Sequence, residues 1–130
     1  MQAEDLMRLA AEPELAILTY KVSNPERFGV VVTDESGYVT KLIEKPKEFI
    51  SDKIITGAAL FDEEFFDVET EKSARGEYEW TDIMAKLINE RGRKIKAMPA
   101  SFWFPINNPQ ELSEAEEKLL VKMEVKAKQI

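Results

Sequence analysis

The tetrapeptide Asp34-Glu35-Ser36-Gly37 restricts the possible folds of this chain more than any other feature. It lies between two apolar, β-branched runs, Phe28–Thr33 and Tyr38–Glu44. A polar turn with glycine last, set between such runs, reads as a β-hairpin. Pro46 ends the second arm, because proline has no N–H to give to a ladder. Ala16–Val22, Ile54–Phe61, Lys94–Met98 and Phe102–Ile106 read as further strands. Residues 3–12 place Leu6, Met7, Ala10 and Ala11 on one helical face, and Pro13 stops that helix. Glu63–Phe66 reads as a helical turn. A second helix takes Thr81 as N-cap, buries Ile83, Met84, Leu87 and Ile88, and stops at Gly92. The last helix opens on Asn108 as cap, Pro109 in the first position and Glu111 three residues after the cap. Its expected buried face is Leu112, Ala115, Leu119 and Met123. Strands alternating with helices around one long hairpin predict a single α/β domain over residues 1–130, a mixed sheet with flanking helices.

Composition then excludes whole classes of chemistry. The chain has no Cys and no His. Thiol nucleophiles, disulfides, imidazole bases and the usual zinc sites go together. A net charge of −7 argues against a nucleic-acid partner, which needs a concentrated basic face. No apolar run approaches the roughly 20 residues that span a bilayer, so no membrane partner is expected. Met1–Asp5 lacks the basic start and apolar stretch of a signal peptide, and the expected location is cytoplasmic. The five glycines, at 29, 37, 57, 76 and 92, are too dispersed for a phosphate-cradling loop.

Three segments, in order, carry a resemblance. They are Asn24-Pro25-Glu26-Arg27-Phe28-Gly29-Val30-Val31 with the later Glu44-Lys45-Pro46, then Ile55–Asp62, then Ser73–Ile83 with its Gly76-Glu77-Tyr78-Glu79-Trp80-Thr81-Asp82. With Ser101-Phe102-Trp103-Phe104-Pro105-Ile106 and the final helix, they resemble sugar-1-phosphate nucleotidyltransferases, the glucose-1-phosphate thymidylyltransferase group most closely. The similarity runs from about Ala16 onward, and it implies the second half of such an enzyme, the C-terminal part of a Rossmann-like nucleotidyltransferase fold.

The resemblance implies a sugar-phosphate pocket. Phe28 and Gly29 would lie against the sugar, Glu44 would accept from its hydroxyls, and Lys45 would face its phosphate. The backbone around Ile55 and Gly57 would form the floor and Trp103 a wall. Read without the family, Glu44 and Lys45 are polar residues at a strand end, Gly29 and Gly57 are bulge glycines, and Trp103 is a core aromatic.

The family uses Mg2+ and reads Trp-x-Asp where this chain has Trp103-Phe104-Pro105. Proline has no side-chain oxygen to hold a metal, so no cofactor is expected in this chain and no catalytic residue is assigned. Asn107 is the one nearby side chain that could replace that Asp, and a neutral amide binds a divalent cation less strongly than a carboxylate. These observations imply a nucleotidyltransferase-like domain that is inactive alone and binds at most a sugar-1-phosphate. The alternatives are one subunit of a split enzyme, completed by a separate N-terminal half, and a non-catalytic interaction module. Strands Ala16–Val22 and Ile54–Phe61 would then have open edges. A homodimer through Ile17, Leu18, Ala59 and Leu60 is expected, with a monomer closed by the first helix, through Leu6, Met7 and Ala10, as its competitor.

Overall fold

A computed structural model describes residues 1–74 and 76–129. The chain order is α1 (Ala3–Ala10), β1 (Leu15–Lys21), a 3-10 turn (Pro25–Arg27), β2 (Gly29–Thr33), β3 (Val39–Glu44), β4 (Lys53–Leu60), α2 (Glu64–Asp67), α3 (Trp80–Asn89), β5 (Ile95–Pro99) and α4 (Pro109–Lys128). The strands form one mixed sheet in the order β3-β2-β4-β1-β5. β1 and β5 run parallel, and the other neighbours are antiparallel. Arg75, in the third of the family-like segments, lies outside the described residues.

The hairpin forms where the turn chemistry puts it. Asp34 Oδ1 accepts from the backbone N–H groups of Ser36 and Tyr38 at 2.9 and 3.0 Å, and Gly37 takes the left-handed conformation at φ +87°. The tip then bends onto β5. Ala97 N–H donates to the Gly37 carbonyl at 2.9 Å, and Tyr38 bridges to Lys96. The far edge of β5 is thus partly covered by the hairpin itself.

This arrangement corrects the expected open edges. β1 and β4 are interior strands, each paired on both sides. Ile17 and Leu18 are fully buried, while Ala59 and Leu60 are half-buried. A homodimer through Ile17 and Leu18 has no surface to use. Alternation along β1 sends Leu15 and Ile17 to one face, with Val31, Ile55, Ile95 and Met84 of α3. Ala16 and Leu18 go to the other, with Met98 and Leu9 of α1. A strand buried on both faces explains the unbroken apolar run that marks β1.

α1 does cover a sheet face, but by a different surface from the expected one. Leu6, Met7 and Ala10 are exposed, and Asp5 and Leu9 are buried. Asp5 draws the helix in. Its carboxylate accepts from Ser101 N–H at 3.0 and 3.1 Å, from Ser101 Oγ at 2.9 Å and from Arg8 at 2.7 Å. Those donors offset the cost of burying a charge.

Three further expectations are corrected. Thr81 is not the cap of α3; Glu79 holds that position, and Thr81 sits inside the first turn at 1% exposure. Gly92, at φ +64°, does close the helix, with Arg93 N–H donating to the Leu87 carbonyl at 2.9 Å. Residues 102–106 form no strand. Trp103 Nε1 donates to the Thr56 carbonyl at 3.0 Å, and Pro105 has no N–H for a ladder. α4 is capped as its sequence demands, Asn108 Oδ1 accepting from Glu111 N–H at 2.8 Å. Its expected core face fails: Ala115 is buried, but Leu112, Leu119 and Met123 are exposed, because no described element packs over them. No described helix is long and apolar enough to cross a membrane.

Candidate functional site

The family-like segments converge at the base of the hairpin. Gly29 opens β2 and pairs with Glu44, the last residue of β3. Gly29 is needed here for space. A Cβ on it would lie 3.0 Å from Glu44 Oε2, 3.2 Å from Thr81 Cγ2 and 3.4 Å from Ile55 Cδ1. Its backbone is ordinary strand, so close approach is the reason for glycine and a bulge is not. Lys45 follows with φ +45°, the one left-handed non-glycine among the described residues. Such a conformation costs on the order of 1 kcal/mol or more for a residue with a Cβ, and it concentrates at functional positions. The Lys45 N–H donates to the Phe28 carbonyl at 2.9 Å, which fixes the turn.

Gly57 is the bulge. Its φ is +98°, and the β1–β4 register shifts between Ile17 and Thr19 at the same level. A Cβ on Gly57 meets nothing within 4 Å, so backbone conformation alone selects glycine. Ile55 is a core residue of β4 whose side chain underlies Gly29. Trp103 reaches the Thr56 carbonyl beside the bulge and meets Phe28 edge-on at 5.5 Å between ring centroids. The Tyr20 ring lies 6.2 Å from that of Trp103, tilted at 51°.

Phe28, Lys45, Trp103 and Tyr20 line two adjoining clefts that share Arg27 and Phe28, whereas Gly29, Glu44, Ile55 and Gly57 line neither. One, of about 480 Å³, is lined by Tyr20, Phe28 and Trp103, with Lys21, Arg27 and Pro105 at its margin. The other, of about 510 Å³, is lined by Glu26, Arg27, Phe28, Lys45 and Asn107. The structure therefore brings Phe28, Gly29, Glu44, Lys45 and Trp103 into one neighbourhood. Ile55 contributes from below, and Gly57 stands at its rim as a bend in β4.

Sequence reasoning missed Arg27, Tyr20 and Thr81. Arg27 sits inside the quoted Asn-Pro-Glu-Arg-Phe-Gly run and adds a guanidinium to the cleft that holds Lys45. Thr81 was hidden by its resemblance to a helix cap. Its Oγ1 is buried and finds no hydrogen-bond partner among the described residues, and its methyl packs against Gly29. The neighbourhood combines flat aromatic walls with side chains of both signs, Glu26, Glu111 and Glu114 against Lys21, Arg27, Lys45 and Lys118.

A family model described as nucleotidyl transferase matches residues 2–122. The chain belongs to the nucleotidyl transferase family. The bifunctional protein GlmU of Methanocaldococcus jannaschii is 35% identical over 123 residues, which are 92% of this chain and 30% of that protein. A glucose-1-phosphate thymidylyltransferase of Neisseria meningitidis is 31% identical over 86% of this chain and 40% of its own length. A Bacillus anthracis structure described as a glucose-1-phosphate thymidylyltransferase in complex with sucrose superposes with a TM-score of 0.65 at 31% identity, covering 86% of this chain and 45% of that one. The chain thus spans about 30% of the length of the GlmU relative.

The comparisons correct one expectation. The chain is not the second half of such an enzyme. The relatives align over the N-terminal part of their length, 30% of it in the GlmU relative and 40% in the Neisseria enzyme. The five-stranded mixed sheet accordingly resembles the N-terminal part of the nucleotidyltransferase fold and not its C-terminal part.

Proposed function

We propose that this stretch forms the sugar-phosphate-binding side of a sugar-1-phosphate nucleotidyltransferase, and that by itself it binds without transferring. The observation that carries the reading is the contact at Gly29. A Cβ at Gly29 would come within 3.0 Å of Glu44 Oε2, so its absence leaves that carboxylate its place, and the next residue after Glu44, Lys45, is held in a left-handed turn. A carboxylate beside an ammonium suits a molecule with hydroxyls at one end and a phosphate at the other. In this reading Glu44 accepts from two sugar hydroxyls. Lys45 and Arg27 neutralise the phosphate, and Phe28 and Trp103 pack against the apolar faces of the ring. The sucrose in the Bacillus anthracis structure is a saccharide on a similar fold, which supports the ligand class.

Family chemistry joins a sugar-1-phosphate oxygen to the α-phosphorus of a nucleoside triphosphate and releases pyrophosphate, with a divalent cation neutralising the charge. The cleft lining suits that cation poorly. Beside the carboxylates of Glu111 and Glu114 it carries Lys21, Arg27 and Lys118, and Pro105 borders it without a side-chain oxygen. Glu111 already accepts from Asn107 N–H at 2.6 Å. Among the described residues no group of three or more acidic side chains is placed to hold a metal. Binding is the chemistry these side chains supply.

Calorimetric titration with a panel of sugar-1-phosphates tests the reading. Each of Glu44→Ala and Lys45→Ala should weaken binding by about tenfold or more, the value of a lost charge-assisted hydrogen bond. The same protein with magnesium, a nucleoside triphosphate and a sugar-1-phosphate should release no pyrophosphate. Unchanged affinity in both variants, or chelator-sensitive pyrophosphate release, contradicts the proposal.

A further inference from the structure

α4 carries an apolar surface that the other described residues leave exposed. Ala115, Lys118 and Lys122 face the body, where the two ammonium groups lie 4.0 and 5.0 Å from the ring centroids of Phe104 and Phe102. Leu112, Leu119, Leu120 and Met123, spaced i, i+7, i+8 and i+11, occupy a neighbouring face. They are between 41% and 66% exposed. A stripe of this length on a 20-residue helix is what helix pairs bury.

The charges on the same helix say which occupant fits. From Pro109 to Glu117 the helix carries Glu111, Glu114, Glu116 and Glu117 and no base. From Lys118 to Lys128 it carries four lysines against the single acid Glu124; Lys118 and Lys122 are turned to the body, which leaves Lys126 and Lys128 as the bases free of those ring contacts. A helix acidic in its first half and basic in its second is complementary to itself when reversed. Antiparallel pairing sets each acidic half beside a basic one and opposes the two helix dipoles, whereas parallel pairing sets like beside like. We propose that α4 is a self-association surface, with a second copy of this chain packing antiparallel across Leu112, Leu119, Leu120 and Met123. The interface is independent of the sugar-phosphate reading and lies on a different element from the interior strands β1 and β4.

Sedimentation equilibrium from about 10 μM to about 1 mM, where mass action exposes a weak dimer, is the first test. A monomer–dimer equilibrium is expected, weakened at least about tenfold in Leu119→Glu, which puts a charge at the centre of the stripe. Leu119 is exposed in the monomer, so the variant should keep its circular dichroism and melting curve. Orientation is read separately. The chain has no cysteine, so a spin label on Gln110→Cys is unique. At 1.5 Å rise per residue the antiparallel pair holds two such labels about 30 Å apart, and a parallel pair about 10 Å. A monomer throughout the range, a dimer indifferent to Leu119→Glu, or the short label distance each overturns the proposal.

Discussion

Replacing Asp5 by Asn removes a charge that the fold has built a socket for, and the cost follows from that socket. The carboxylate is 1% exposed and accepts from Ser101 N–H, Ser101 Oγ and Arg8. Burial pushes its pKa up, but the donors of Arg8 and Ser101 outweigh burial and hold it at about 2, against an ordinary 3.8. At 1.36 kcal/mol per pH unit that gap is worth roughly 2 kcal/mol at neutral pH. Arg8 is half-exposed, so solvent screens its share and most of the value rests on Ser101. The sign follows from the direction. A carboxyl held lower in the folded state than in the unfolded one stabilises above about pH 3.8, and that stability is lost as the pH falls toward 2. Urea unfolding of the parent chain and Asp5→Asn, repeated from pH 7 to pH 2, reads it out. The gap between them should be roughly 2 kcal/mol at pH 7 and should close over most of its value between pH 4 and pH 2. No gap at pH 7, or a gap that stays constant down to pH 2, refutes the reasoning.

Other substitutions separate space from conformation. Gly29→Ala places a Cβ 3.0 Å from Glu44 Oε2, so it should displace that carboxylate and lower sugar-phosphate affinity, seen by calorimetry, with a loss of stability on the order of 1 kcal/mol. Gly57→Ala meets open space but keeps φ +98°, and a melting curve should show a cost of about 1 kcal/mol from backbone strain alone. Thr81→Val removes a buried hydroxyl with no partner among the described residues. Denaturant unfolding should find it neutral or stabilising by up to about 1 kcal/mol, where a hydrogen-bonded threonine would lose stability.

The parts of the fold that were legible are those written in neighbouring residues. Asp34 and Gly37 specify their own turn, Asn108 and Pro109 their own helix start, and Gly92 its own helix end. What escaped depends on partners far along the chain. Nothing near Asp5 announces Ser101 as its donor, so the apolar Leu6, Met7 and Ala10 looked like the inner face of α1. Thr56 of β4 fixes Trp103, and residues 102–106, apolar throughout, do not become a strand. Thr81 has the chemistry of a cap but sits inside α3 with its methyl packed against Gly29 of β2. At the site, the Glu44-Lys45 pair and Trp103 stood out through family likeness, whereas Arg27 needed the two clefts to bring it beside Lys45. α4 departs for the opposite reason: its periodicity is real, but the surface it predicts stays exposed among the described residues.

Amide and indole NMR on the chain titrated with a sugar-1-phosphate tests the central claim most directly. Gly29 and Lys45 report through their backbone N–H groups, and Trp103 reports through the Nε1–H that donates to the Thr56 carbonyl. The account predicts that these signals move together and saturate with one affinity, that Lys45→Ala abolishes the response, and that a nucleoside triphosphate alone leaves them in place. Signals that stay fixed at these three residues while the sugar phosphate reaches saturating concentration, or that move equally in Lys45→Ala, contradict it.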